Sequence, residues 1–137
     1  MLDTALSSLT GLPAFAAYFA LAVVLLLVFV RLYTWVTPHD EFDLIRANNP
    51  AAAIAFAGAI IGFAWPLSSA ITHSMSLLDC AIWGGIALIV QVLTFFISNA
   101  ALKQLPQRIS QGELAAGIFS AACSITVGML NAACMSY

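Results

Sequence analysis

The chain has 137 residues, of which 63% are hydrophobic and only 7% are charged, and its formal net charge is −2. A soluble domain carries about 25% charged residues, so this composition excludes an ordinary soluble domain and indicates a single integral membrane domain over residues 1–137. The slightly acidic balance also excludes the basic surface with which proteins bind nucleic acids. We therefore expect the lipid bilayer to be the main partner.

The first apolar stretch covers residues 12–30 and ends before Arg31. A secretory signal peptide begins with a positively charged segment, but no Lys or Arg precedes this stretch and Asp3 is acidic. We therefore expect the stretch to remain in the mature protein as a membrane span, with a short polar segment at 1–11 before it. Its second half is bulky on every side, which favours a lipid-facing position.

An acidic segment lies between the first and second spans. Thr37, Pro38 and Asp40 form a helix-start pattern, which predicts a short amphipathic helix over 38–47 on the membrane surface. Its carboxylates are interpreted as a solvated face, and the alternative is a docking surface for a protein partner on the cytoplasmic side. These carboxylates belong to Asp40, Glu41 and Asp43.

The second apolar stretch begins at a helix-start signal, Asn49 followed by Pro50. Residues 51–72 contain no ionisable side chain, and as a helix they extend roughly 33 Å, enough to cross a hydrocarbon core of about 30 Å. Ala and Gly recur on one face, and small residues allow helices to approach closely inside a bilayer. This span is therefore predicted to lie inside the bundle.

Two further spans are predicted at 80–102 and 114–137, with 105–108 as a loop between them. Each follows a capping-box pattern, Ser76-x-x-Asp79 or Ser110-x-x-Glu113, and each carries small residues on one face. Because four helices cannot bury three such faces and still present bulk to lipid, we expect a homo-oligomer. The glycines expected at close helix contacts are Gly58, Gly62, Gly84 and Gly128.

The four spans form two similar pairs. The segment 44–62 resembles the segment 108–126, which lies 64 positions later, and this suggests a duplicated helical hairpin. Each hairpin crosses twice, so the two copies would insert with the same polarity as parallel repeats. The predicted fold is all-α: an integral membrane four-helix bundle built from two tandem helical-hairpin repeats, at about 12–72 and 76–137.

The basic residues predict the orientation of the chain in the membrane. All of them fall in or beside the first and third connections: Arg31, Arg46, Lys103 and Arg108. Cytoplasmic loops carry an excess of Lys and Arg, so this side is predicted to be cytoplasmic. Both termini and the turn at 73–79 are then predicted to be periplasmic or extracellular.

Spaced motifs run through nearly the whole chain, among them Thr37-Pro38-x-Asp40-Glu41, Ala51-Ala52-Ala53-Ile54, Asp79-x-x-x-Trp83 and Gly128-x-x-Asn131-Ala132. In these motifs the chain resembles the YjfL-like family of small bacterial inner-membrane proteins, whose domain is a domain of unknown function. The resemblance implies four spans, duplicated hairpins and a bacterial inner membrane. It implies no established biochemical activity.

Polar side chains on the predicted inner faces are candidates for the lining of a path through the membrane. In hydrocarbon such groups must find partners, and they mark either solute pathways or hydrogen bonds between helices. The candidates are Gln91, Thr94, Ser98, Ser124, Asn131 and Ser69. At the predicted outer end, Asp79 and His73 are candidates for an ion site, and the alternative for Asp79 is a helix-capping acid.

No predicted span holds an Asp, Glu, Lys, Arg or His at its centre, and no nucleophile–base pair, phosphate loop or metal-ligand motif is recognisable. The three cysteines lack such spacing and are interpreted as small buried side chains. We therefore expect no enzyme, no cofactor and no metal site. The leading hypothesis is a homo-oligomeric passive channel or transporter for an ion or small polar solute. The alternative is a non-catalytic membrane subunit that docks a partner through residues 37–49.

Overall fold

The computed structural model describes residues 1–135, and over that range the chain forms seven helices joined by short connections. In chain order they are α1 (Leu2–Leu9), α2 (Leu12–Val36), α3 (Glu41–Arg46), α4 (Pro50–His73), α5 (Leu77–Ala101), α6 (Leu105–Ser110) and α7 (Leu114–Cys134). Four stretches of the described chain are long and apolar enough to cross a membrane: α1 together with α2, and α4, α5 and α7 individually. The predicted all-α architecture with four spans is therefore confirmed. The predicted end of the last span at 137 lies outside the described residues.

The first span is longer than the sequence indicated. The helix α2 continues past Arg31 and ends at Val36, and most of the segment predicted to be polar forms α1. Arg31 is exposed, and its long side chain can reach the polar interface, so the charge does not end the helix. The helix ends because the residue before a proline avoids helical angles: Thr37, which precedes Pro38, has a ψ of 135°.

The connection between α5 and α7 corrects two predictions. Residues 105–108, expected to form a loop, belong to α6, and the capping box predicted at Ser110 is wrong because Ser110 ends that helix. Gly112 makes the turn into α7 with a φ of +80°. The helix α6 packs through Leu105 and Ile109, which are buried against alanines of α4 and α7. No local sequence pattern predicts this contact between distant segments.

Two predicted helix starts are confirmed. The Asn49 side chain accepts a hydrogen bond at 3.1 Å from the backbone amide three residues on, and its amide nitrogen donates to the carbonyls of Ile109 and Ser110 at 3.0 and 3.2 Å. Asn49 therefore starts α4 and also ties it to the end of α6. At the start of α5, the Ser76 hydroxyl accepts a hydrogen bond at 3.2 Å from the amide of Asp79.

The helices α4 and α7 form the closest contact in the bundle, and glycines make it possible. A Cβ atom added at Gly62 would lie 2.3 Å from the carbonyl oxygen of Ser124, and one added at Gly128 would lie 2.2 Å from the carbonyl oxygen of Gly62. A Cβ atom at Gly58 would lie 2.4 Å from Ala121. The small-residue faces of these two helices therefore cover each other within one chain, which removes part of the argument for an oligomer.

The helix α2 packs on the other side of α4 and α5 through large aromatic side chains. Phe29 and Phe63 stack with ring centroids 4.6 Å apart, and Tyr33 contacts the rings of Phe56 and Phe95. All of these side chains are buried, and Gly84 of α5 leaves room for a leucine of α2. The cysteines are less uniform than expected: Cys80 is buried and Cys134 is exposed.

Candidate polar path and basic-face cleft

Gln91 is the buried polar centre of the bundle. Its side chain is 2% exposed, and its Nε2 donates a hydrogen bond at 3.2 Å to the backbone carbonyl of Ser124. Its Oε1 has no hydrogen-bond partner among the described residues. A Cβ atom at Gly62 would lie 3.1 Å from this oxygen. Gln91 thus lies where α4, α5 and α7 meet, and its carbonyl oxygen lacks a donor there.

Thr94 and Ser98 share the buried face of Gln91, but their hydroxyls are already used within α5. The Thr94 hydroxyl donates to the Val90 carbonyl at 2.8 Å, and the Ser98 hydroxyl donates to the Thr94 carbonyl at 2.8 Å. Both residues border a groove of about 310 Å³ between α5 and α7 whose other walls are mostly apolar. They extend the small-residue face without presenting free donors.

Three other candidates, Ser69, His73 and Asp79, lie near the end of α4 and the start of α5, and each has a local partner. The Ser69 hydroxyl donates to the carbonyl of Ala132 at 3.1 Å and thereby joins α4 to α7. The Nδ1 of His73 lies 2.9 Å from the Ser69 carbonyl. The Asp79 carboxylate accepts a hydrogen bond at 3.0 Å from the Met75 amide, as a helix-capping acid does.

Asn131 is half-buried in the same half of α7. Its Nδ2 is buried without a hydrogen-bond partner in the part of the chain that the structure describes. Within the described spans, Gln91 and Asn131 are the two amide side chains that leave a buried polar atom unpaired. Such atoms are costly in hydrocarbon because no water can satisfy them.

Two buried polar residues near these candidates, Ser120 and Tyr33, were missed from the sequence. Ser120 is 4% exposed and lies one turn before Ser124 on the same face of α7. Its side chain lies near Tyr33 of α2. The four-residue spacing from Ser124 was the available signal for Ser120, whereas Tyr33 resembled an ordinary interfacial aromatic residue.

The end of the bundle that carries Arg31, Arg46, Lys103 and Arg108, here named the basic face, contains a cluster of Thr37, His39 and Glu41. The Glu41 side chain is 1% exposed and the His39 side chain 6% exposed. The His39 Nε2 lies 3.3 Å from Glu41 Oε1, and the same oxygen contacts the Thr37 hydroxyl. The interpretation of the acidic segment as a solvated face is therefore wrong at Glu41, although Asp40 and Asp43 are exposed.

Glu41 is buried because of how α3 begins. Asp40 caps the helix by accepting a hydrogen bond at 3.2 Å from the Asp43 amide, and this turn directs the next side chain back towards α2. Burial raises the pKa of Glu41 to about 7, against the opposing effect of the Thr37 hydrogen bond. Burial also lowers the pKa of His39, so its imidazole is neutral at neutral pH.

The cluster borders a polar cleft of about 380 Å³, which here is named the basic-face cleft. Its walls come from the end of α2, the start of α3 and the connection between them: Arg31, Thr34, Thr37, Pro38, His39, Asp40, Glu41 and Phe42. A smaller cavity of about 180 Å³ separates His39 from α6. Among residues 1–135, no group of three His, Cys, Asp or Glu side chains is arranged to hold a metal ion.

Four apolar spans, with polar atoms buried among them, define this chain as a small multi-pass α-helical membrane protein. The model of the Domain of Unknown Function DUF350 matches residues 7–135, and the chain belongs to this family. It is 40% identical over 129 residues to the UPF0719 inner membrane protein YjfL of Escherichia coli strain K12, covering 94% of this chain and 98% of that protein. The resemblance to the YjfL-like family is thereby confirmed.

A second relative comes from another bacterium. The chain is 28% identical over 120 residues to the UPF0719 transmembrane protein YshE of Bacillus subtilis strain 168, covering 86% of this chain and 90% of that protein. No solved structure matches the chain. The family description names no activity, so the function has to be argued from the side chains.

Proposed function

We propose that the chain is a passive conduit for an ion or small polar solute in a bacterial inner membrane, with the basic face in the cytoplasm. The name of the Escherichia coli relative supports the membrane, and the clustering of all Lys and Arg residues at one end supports the orientation. Both termini then face the periplasm or the exterior. The proposed role is non-catalytic and requires no cofactor.

The proposed path follows buried polar groups along the inner face of α7. From the basic face it runs past Tyr33 and Ser120 to the contact between Gln91 and Ser124, and then past Asn131 to Ser69. The observation that carries the proposal is the Gln91 Oε1 atom, which is buried in the middle of the bundle without a donor. A water molecule or a permeating solute would supply that donor, and weak binding at several such sites is what conduction requires.

The tandem repeat is also a proposal, and the helix boundaries support it. Adding 64 to the first residues of α3 and α4, Glu41 and Pro50, gives the first residues of α6 and α7, Leu105 and Leu114. Asn48 and Gly112 are related by the same interval, and both have a positive φ. The contact between α4 and α7 is then one between equivalent helices of the two hairpins.

The homo-oligomer stays a prediction, and its interface would differ from the one first expected. Because the faces containing Gly62 and Gly128 are used within the chain, subunits would have to meet through lipid-facing surfaces. The outer surfaces of α2 and α5 carry many exposed large apolar residues that are available for such contacts or for lipid.

The test is flux through purified protein in liposomes, measured separately for protons, other cations and anions. Gln91→Leu keeps the bulk of the side chain and removes its polar group, so the flux should fall to the level of empty liposomes. Ile89→Leu is the matched control, because Ile89 is 59% exposed on the lipid side of the same helix. Equal flux through both variants, or no flux above empty liposomes for the natural chain, would overturn the conduit.

The second candidate function is docking of a cytoplasmic protein through α3. Phe42 is 45% exposed beside the exposed carboxylate of Asp43, which gives this short helix an apolar and an acidic contact point. A photo-crosslinker at Asp43 should capture a defined partner in cells, whereas one at Gln107 on the neighbouring helix should not. Identical capture from both positions would contradict docking through α3.

A further inference from the structure

The basic-face cleft contains a buried acid that the polar path does not explain. The Glu41 Oε1 atom contacts both Thr37 and His39, but its Oε2 has no hydrogen-bond partner among the described residues. An ionised carboxylate oxygen that is buried without a hydrogen-bond donor is strongly disfavoured. The Glu41 carboxyl group therefore needs a partner that none of the described residues supplies.

We propose that Glu41 is a proton-binding site that passes protons from the basic-face cleft into the conduit. The natural ligand of the site is the proton, delivered as hydronium by water in the cleft. The role in loading rests on the proposed function, because it requires a path onward through the membrane. Proton binding at Glu41 itself does not depend on that path.

The hydrogen bonds around Glu41 define where the proton is held. The Thr37 hydroxyl donates to Oε1, and His39 Nε2 lies 3.3 Å from the same oxygen. Both of these contacts are made to Oε1 and, among the described residues, none to Oε2, so the proton binds to Oε2. Hydronium gives its proton to the ionised Oε2 and leaves as water, and the reverse step returns the proton to a water molecule.

Thr37 couples this step to the backbone. Its single hydroxyl hydrogen can be donated to Glu41 Oε1 or to the carbonyl of Tyr33, which lies 3.0 Å away. The ionised carboxylate competes better for that hydrogen than the neutral acid does. Proton binding therefore frees the Thr37 hydroxyl to return to the end of α2, so the cleft and the first span respond together to one proton.

The other charged and titratable groups around Glu41 do not cancel the effect of burial on its pKa. From the end of α2, Arg31 also lines the cleft. The negative charge of Asp40, at the start of α3, raises the pKa of Glu41. Tyr33 of α2 lies within electrostatic range on the membrane side. The α6 residues that border the cavity next to His39 are Pro106, Gln107 and Ser110, and none of them is charged. Burial remains the largest influence and raises the pKa of Glu41 to about 7.

The first experiment observes Glu41 directly, without any need for transport. The sequence contains two glutamates, Glu41 and Glu113, so the full chain labelled with ¹³C-glutamate gives two carboxyl resonances by NMR in detergent. The resonance that disappears in Glu41→Gln should titrate with a midpoint near 7. The resonance that disappears in Glu113→Gln belongs to the other glutamate, which pairs with Arg108, and it identifies the Glu41 signal by exclusion. A Glu41 resonance that titrates only in acid would overturn the proton site.

A second variant tests the part played by Thr37. Thr37→Val keeps the shape of the side chain and removes the hydroxyl that stabilises the ionised carboxylate, so the Glu41 midpoint should move to higher pH. Thr34→Val, at another wall of the same cleft, is the matched control and should leave the midpoint in place. A midpoint that does not move in Thr37→Val would overturn the proposed coupling.

The third experiment separates this inference from the proposed function. Proton flux through the natural chain in liposomes should change as the pH on the basic side crosses 7, and Glu41→Gln should lose that dependence while Glu113→Gln keeps it. Neutral titration of Glu41 without flux would refute the conduit and leave the proton site standing. Flux whose pH dependence survives in Glu41→Gln would refute loading through Glu41 and leave the conduit standing.

Discussion

Two regions of this small membrane domain differ in how they are packed: the contact between α4 and α7, and the basic-face cleft. In the first, glycines bring backbone against backbone, with hypothetical Cβ atoms 2.2–2.4 Å from the facing helix. In the second, a carboxyl group is buried beside a neutral imidazole, and one of its oxygens has no partner in the described chain. The first region holds two helices at a fixed separation, whereas the second contains a group whose charge can change near neutral pH.

The difference indicates where rigidity and responsiveness reside in the molecule. In lipid, helices are held together by close packing of small residues, because apolar bulk gives no net drive for association. The α4–α7 contact uses that mechanism over most of its length. The cleft lies at the end of α2 and the start of α3, outside the apolar middle of the spans, where a titratable group costs less than it does inside hydrocarbon.

The largest expected effect comes from filling the α4–α7 contact. Gly62→Leu drives a side chain into the Ser124 carbonyl, which belongs to rigid backbone, so the loss should exceed the roughly 1–3 kcal/mol typical of overpacking. Thermal unfolding in detergent should show a large drop in midpoint or no folded protein. Gly85→Leu is the control, because nothing lies within 4 Å of a Cβ atom at Gly85. Equal loss in both would contradict backbone contact as the cause.

The next effect is a pH dependence of stability that originates in the cleft. The pKa of Glu41 is about 7 in the folded chain and ordinarily 4.5, so the folded state binds more protons between these values and stability falls as the pH rises through them. The loss amounts to about 3 kcal/mol at most. Glu41→Gln should remove this slope and be the more stable form on the alkaline side, whereas Glu113→Gln should keep the slope. Unfolding midpoints across the pH range test this, and an unchanged slope in Glu41→Gln would count against it.

A smaller effect is expected where the two halves of the chain are joined. Asn49→Ala removes the cap of α4 and both hydrogen bonds to the end of α6, at a cost of about 1–2 kcal/mol. Asn48→Gly is the neighbouring control: the φ of Asn48 is +64°, which glycine adopts without strain, so stability should not fall. Denaturation of both variants in the same detergent gives the comparison, and a harmless Asn49→Ala would show that the cap contributes little.

The smallest effect is expected on the exposed surface of α3. Arg46 and Asp43 form an ion pair at 2.9 Å with both side chains largely exposed, and such pairs contribute about 0–1 kcal/mol. Arg46→Ala should therefore leave the unfolding midpoint nearly unchanged and leave the pH slope intact. A loss comparable to that of Asn49→Ala would mean that α3 is anchored through this pair.

The sequence predicted the membrane spans well because their signals are local. A run such as 51–72 without an ionisable residue has few alternatives to a membrane helix, and Asn49 followed by Pro50 marks its start in the chain itself. The buried face of α5 could also be predicted, because the helical period places Gln91, Thr94 and Ser98 on one face. All three residues are buried.

The misread elements depended on contacts between distant segments. The local residues at 105–108 are typical of a turn and predicted a loop. The helix α6 forms there because Leu105 and Ile109 pack against alanines of α4 and α7, which are distant in the sequence. Glu41 lies in an acidic run that resembles a solvated surface, and only the fold of the connection at 37–40 turns it inward.

The sequence by itself therefore determined the environment, the number of spans and the inner faces of the helices, because hydrophobic length and helical period are properties of a single segment. Only the tertiary structure decided which small faces pair, which hydroxyls are already bonded and which acid is buried. Gly62 meets Ser124, and Glu41 meets His39, through the relative placement of separate segments. A pKa and an unpaired oxygen follow from surroundings in three dimensions, and the order of residues along the chain does not specify those surroundings.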